Sequence, residues 1–160
     1  AKLSTYQNQY GTAVPAQSVE HVLAIAKNVP VINTPAACLQ RTDGRYYIAG
    51  EIVHTYWGGR WTDGQPARTG FTTVLPPNAP SCSDSTHSQD WADQVSLVLP
   101  PSSRHPGGVN CLFADGSVRF ISNTINTGNL AAYQPATGPS VYGVWGALGS
   151  KDGTESLQTP

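Results

Sequence analysis

Apolar positions along this chain come in short runs separated by Gly, Pro, Asp and Asn. The sharpest pattern is the stretch 105–122, HPGGVNCLFADGSVRFIS, in which two apolar runs, 109–113 and 118–121, flank Ala114-Asp115-Gly116-Ser117. An Asp-Gly pair between such runs predicts a β-hairpin closed by a two-residue type I′ turn, because both central residues of that turn take positive φ. The turn sets Phe113 opposite Val118, Cys111 opposite Phe120 and Val109 opposite Ser122, with Leu112 and Ile121 on the other face. Both faces are then partly apolar, so the hairpin is expected inside a sheet covered in part on each side.

The remaining chain is read against that hairpin. Residues 1–17 are polar without a clear period and are expected to form a loose N-terminal arm. Val19, Val22, Leu23 and Ala26 recur at i, i+3, i+4 and i+7, behind a Ser18 N-cap and ahead of Asn28 and Pro30, which predicts one short helix. At ~10 residues it would need packing on a sheet to be stable. Residues 29–42 read as an irregular link. Residues 45–57 are rich in β-branched and aromatic side chains and predict a strand with a break at Gly50. A short strand is expected over 71–75, stopped by Pro76-Pro77, then a long surface loop over 76–90, a second short apolar run over 95–99, a connection over 123–127 and a final packed segment over 142–148. A loose tail is expected over 150–160. The fold class is α+β: one domain over 1–160, with a predominantly antiparallel sheet, long Pro/Gly-rich loops and one short N-terminal helix.

Composition agrees with this pattern. Only 12% of residues are charged while Gly numbers 16 and Pro 13, a balance that favours turns and strands over amphipathic helices. The net charge of −1 comes with no basic cluster, so the electrostatic footprint of a nucleic-acid binder is missing. No window approaches the ~18 consecutive apolar residues of a membrane helix. Met is absent even at position 1, as expected either of a processed product, for instance one whose leader has been removed, or of a chain given without its native N-terminus.

The three cysteines divide by context. Cys38 and Cys82 lie in Pro- and Ser-flanked stretches, while Cys111 sits mid-strand. A Cys38–Cys82 disulfide is expected, with Cys111 a buried free thiol; three reduced, unrelated thiols are the alternative. No C-x2-C pair suggests zinc.

His105 and Asp115 invite a catalytic or metal-site reading, yet along an extended chain they lie up to ~33 Å apart. Asp115 is better explained by its turn, and His105 by a hydrogen bond that holds the approach to the hairpin. A metal role with His54 or His87 would need a convergence that the sequence does not indicate. No G-x-S-x-G elbow, carboxylate pair or phosphate-cradling Gly loop is present. Asp84, Asp90 and Asp93 form the densest acidic group and offer oxygen ligands of the kind calcium takes. They lack the D-x-D-x-D-G spacing, and a solvated loop explains them better. Trp57, Arg60, Trp61 and Asp63 combine flat apolar rings with polar neighbours, the chemistry of a sugar-binding surface; the plainer reading packs Trp57 into the core.

The H-x9-DG spacing of His105, Asp115 and Gly116 resembles the signature of the planctomycete-type, pseudopilin-like secreted proteins of domain-of-unknown-function family 1559. Three further segments are similar in the same order: WGGRWTDG at 57–64, LPPNAPSC at 75–82 and VWGALG at 144–149, so the likeness covers roughly residues 45 to 150. The resemblance implies a pilin-head-like fold and a non-enzymatic, extracellular structural role through contacts with copies of itself or other pilin-like subunits. No cofactor and no nucleic-acid partner are expected. Such proteins begin with a prepilin leader and a long apolar helix; this chain has neither, so membrane attachment is expected only through a helix outside it. A secreted glycan-binding module using residues 57–63, assisted by calcium, is the alternative.

Overall fold

The computed structural model describes residues 5–7, 13–15, 25–49, 51, 53–54, 62, 64–84 and 96–151. Their elements, in order, are β1 (Thr5–Gln7), β2 (Ala13–Pro15), β3 (Ile25–Ala26), a 3-10 helix (Pro35–Arg41), β4 (Val53–His54), α1 (Pro66–Thr69), β5 (Ser81–Ser83), β6 (Leu97–Val98), β7 (Gly108–Leu112), β8 (Val118–Ser122) and α2 (Gly143–Leu148). Helices and short, mainly antiparallel sheets make this an α+β fold.

The main core grows around β5. Cys82 is fully buried at the centre of a four-stranded sheet ordered β4-β3-β5-β6, in which β3 and β5 run parallel and the other neighbours antiparallel. Ala26, Val53 and Val98 from the sheet pack with Val29, Val31, Tyr47 and Leu75 around it. The buried Tyr47 hydroxyl donates to the Ser81 carbonyl at 2.7 Å, and burial pushes its phenol far above the usual tyrosine range. Cys38 on the 3-10 helix is bonded to Cys82 across 44 residues, with Cα atoms 5.8 Å apart. The helix is thereby tied to the middle of the sheet. Beside it, Arg41 pairs with the buried Glu51 at 3.0 Å.

Several local expectations change. Residues 18–24 lie outside the described residues, but Ile25 and Ala26, at the end of the expected helix, form a strand. Both are fully buried, and a short buried strand leaves the same apolar run as a helix segment. The expected loose arm over 1–17 contains β1 and β2, paired antiparallel from Thr5↔Pro15 to Gln7↔Ala13. The link over 29–42 holds the 3-10 helix, opened by Pro35, whose ring presets the helical φ. Among the described residues, the strand over 45–57 shrinks to a Thr42↔Tyr47 bridge and β4.

Residues 71–75 bend instead of forming a strand, and only Thr72 pairs with the sheet, through Leu99. The loop expected over 76–90 contains β5 itself. Ser has no strand preference, so burial and the Cys82 bond override local propensity there. Residues 95–99 do supply β6, and the packed segment over 142–148 is the helix α2.

Closing so long a loop with a disulfide stabilises by about 4 kcal/mol in the chain-entropy model. Cys38→Ala/Cys82→Ala is therefore expected to melt ~10 °C below the parent in a thermal denaturation series. An unchanged melting temperature would show that the bond does not restrain the unfolded chain.

Candidate functional site: a hairpin face and the adjoining cleft

The β7–β8 hairpin is a separate two-stranded sheet, paired from Gly108↔Ser122 through Val109↔Ile121 and Asn110↔Phe120 to Leu112↔Val118. Its loop has three residues. Phe113 N–H donates to the Ser117 carbonyl and Gly116 N–H to the Phe113 carbonyl, each at 2.9 Å. Gly116 takes a φ of 82° while Asp115 stays out of the left-handed region. This is the turn-plus-bulge closure, in place of the expected type I′ turn, which needs positive φ at both residues. The Asp115 carboxylate instead accepts the Ser117 N–H at 2.8 Å and lies 3.4 Å from Arg119. Arg119 in turn stacks over the Phe113 ring at 4.8 Å.

The extra loop residue shifts the register by one and exchanges faces. Val109 and Ile121 now lie together on the inner face, buried against Trp145, with Ile125 and Leu148 at the edge. Cys111, expected buried, is half-buried on that side as a free thiol, and burial pushes it above its ordinary pKa. Leu112, Val118 and Phe120 lie on the outer face, 73%, 65% and 53% exposed. The expectation of a hairpin covered on both sides therefore fails for the outer face.

Two groups hold the hairpin against the molecule. Trp145 is buried and its indole N–H donates to the Leu75 carbonyl at 2.8 Å, tying α2 to the main core. Asn78 is the second, in the left-handed region at a φ of 63°. Its side-chain oxygen accepts the Ser103 N–H at 2.7 Å and its amide donates to the Asn123 side-chain oxygen at 2.9 Å. One side chain thus joins the chain entering β7 to the chain leaving β8. His105 is exposed; its backbone N–H donates to the Ser103 hydroxyl at 3.1 Å, and among the described residues its imidazole makes no hydrogen bond. The approach to the hairpin is held by Asn78, and by the Gly107 carbonyl accepting the Asn123 N–H at 2.8 Å. Sequence reading placed that role on His105 and passed over Asn78, although an Asn after two prolines is a signal for a left-handed turn residue.

Trp57, Arg60, Trp61 and Asp63 lie outside the described residues, as do Asp90 and Asp93. Asp84 is buried just beyond β5, its N–H donating to the Ser96 carbonyl at 3.0 Å. Among the described residues no three His, Cys, Asp or Glu side chains gather into a group able to hold a metal ion.

A cleft of about 900 Å³ opens beside the hairpin tip. It lies between the bend at 71–74, β6, residues 112–114, the loop at 134–138 and the end of α2. Phe71, Leu97 and Leu112 give it apolar walls, and Lys151 is the one charged group among the described residues that line it.

Residues 9–128 match the model of a family described as a protein of unknown function (DUF1559). No curated protein and no solved structure matches the chain.

Asn78→Gly keeps the backbone conformation and removes both side-chain bonds, so a loss of about 2 kcal/mol is expected in denaturant titrations. A loss below about 0.5 kcal/mol would remove Asn78 from this bracing role. The Ser117 hydroxyl and N–H, and then Arg119, hold the Asp115 carboxyl below its ordinary pKa. A depressed folded-state pKa gives stability that is present above the unfolded value and is lost as pH falls through the folded one. NMR titration of the Asp115 carboxyl should therefore give a midpoint below 3.8, and Arg119→Ala should raise it.

Proposed function

The chain belongs to the DUF1559 family, and on that premise we propose that it is a non-enzymatic, extracellular structural protein. It is the globular head of a pilin- or pseudopilin-like subunit and works through contacts with copies of itself or related subunits. It uses no cofactor for this. Attachment to a membrane belongs to a helix outside this chain.

The observation that supports the reading is the outer face of the hairpin. Leu112, Val118 and Phe120 stand exposed on one face of a five-residue-per-strand ladder. Water is a poor solvent for such a row, and contiguous exposed apolar side chains mark interaction surfaces. The inner face is packed on Trp145, so the row is presented on a braced support. A net charge of only −1 sets little long-range repulsion against a second copy. The face is narrow, which suits weak contacts repeated between many subunits better than one tight dimer.

Sedimentation equilibrium tests this. The parent chain is expected to self-associate with a Kd in the ~10–1,000 µM range typical of small interfaces, and Leu112→Lys/Phe120→Lys to remain monomeric. A parent that stays monomeric throughout that range, together with glycan-array binding abolished by Trp57→Ala and Trp61→Ala, would replace assembly by carbohydrate recognition.

A further inference from the structure

The register of β6 leaves one strand position of the main sheet unfilled among the described residues. In an antiparallel ladder, successive residues of a strand turn their N–H and C=O alternately towards one neighbour and away from it. Asp84 N–H donates to the Ser96 carbonyl and Cys82 pairs with Val98, so Leu97, opposite Ser83 between these two, points its own groups away from β5. Leu99 has the same outward parity, and both of its groups are taken: Thr72 donates its N–H to the Leu99 carbonyl at 2.7 Å and accepts the Leu99 N–H on its hydroxyl at 2.9 Å. Beyond Thr72 the chain bends away over 73–75. The outward groups of Leu97 find no partner among the described residues, and Leu97, Thr72 and Thr73 all line the 900 Å³ cleft.

We infer that this cleft binds a short extended peptide, which adds a strand at the Leu97 edge and sets its negative end by Lys151. An unpaired strand edge inside a cleft is met by main-chain donors and acceptors at strand spacing, which a peptide carries and a hydrocarbon chain does not. The apolar walls, among them Phe71, Leu97 and Leu112, suit alternate side chains of such a strand. The volume falls within the ~300–1,000 Å³ of clefts that enclose small ligands. Charge selects among peptides. Lys151 stands among the described lining residues without an acidic neighbour there, so a C-terminal carboxylate or an acidic side chain is favoured at its end of the cleft. The inference does not require the outer hairpin face to drive assembly, although Leu112 belongs to both surfaces.

The probe is acetyl-Thr-Val-Thr-Val-Thr-Val with a free carboxylate, used with the full chain in calorimetric and NMR titrations. Three comparisons follow: the same peptide as its carboxamide, a version N-methylated at every Thr, and one N-methylated at every Val. Strand addition predicts that one methylated series loses binding by about tenfold or more while the other stays within about threefold, because only alternate N–H groups face the edge. Lys151→Ala is expected to weaken the carboxylate peptide by about threefold or more and leave the carboxamide unchanged. Ala136→Trp, at an exposed position of the rim, should block both while retaining the parent circular dichroism spectrum. No saturable binding up to about 1 mM would overturn the inference. So would equal loss in both methylated series, or displacement of the peptide by dodecanoate at comparable affinity, which would make the cleft a fatty-acid site.

Discussion

The left-handed φ of Gly116 is the constraint from which the candidate surface follows. It allows a three-residue closure, and that closure shifts the ladder by one residue relative to a two-residue turn. Because strand side chains alternate with period two, that single residue decides which apolar groups meet Trp145 and which meet water. Val109 and Ile121 turn inward and Leu112, Val118 and Phe120 turn outward. In this chain the Asp-Gly pair thus does more than close a turn: it sets the hydrophobic character of an exposed face. Asp115 supports the same geometry by capping the Ser117 N–H and engaging Arg119.

The hairpin is short, and a two-stranded ribbon alone is marginal in water. It persists because Trp145 and Asn78 fix it from different directions. Trp145 covers the inner face and carries a hydrogen bond to Leu75 of the main core. Asn78 clasps both ends of the hairpin through Ser103 and Asn123. Gly108 lies against the Ile121 carbonyl and the Phe120 ring, where a Cβ has no room. Of the segments that bear Asn78 and Trp145, 75–82 lies within the family match over 9–128 and 144–149 lies beyond it. In this structure they hold the hairpin and the sheet in place.

How much of this the sequence discloses depends on the range over which each feature is determined. The hairpin, β6 and the packed 142–148 segment were legible, because each is a local apolar run bounded by Gly or Pro. The pairing of Cys38 with Cys82 was reached by elimination against a mid-strand Cys111, and the two sulfurs are bonded. The turn type was misread because Asp-Gly serves both closures, and only the φ of Asp115 separates them. β5 was invisible, since Ser-Cys-Ser has no strand signature and is placed by its neighbours and its disulfide. Asn78 and the open edge at Leu97 arise from contacts between segments about fourteen to forty-five residues apart, which no periodicity encodes.

The central claim is that the outer hairpin face is where copies of this chain meet. It is tested most directly by recording amide NMR spectra of isotopically labelled protein across a concentration series. The account predicts that concentration-dependent shifts and broadening centre on Asn110, Leu112, Val118 and Phe120 and spare the inner-face Val109 and Ile121. Spectra that do not change with concentration, or that change only at residues away from the hairpin, would contradict it.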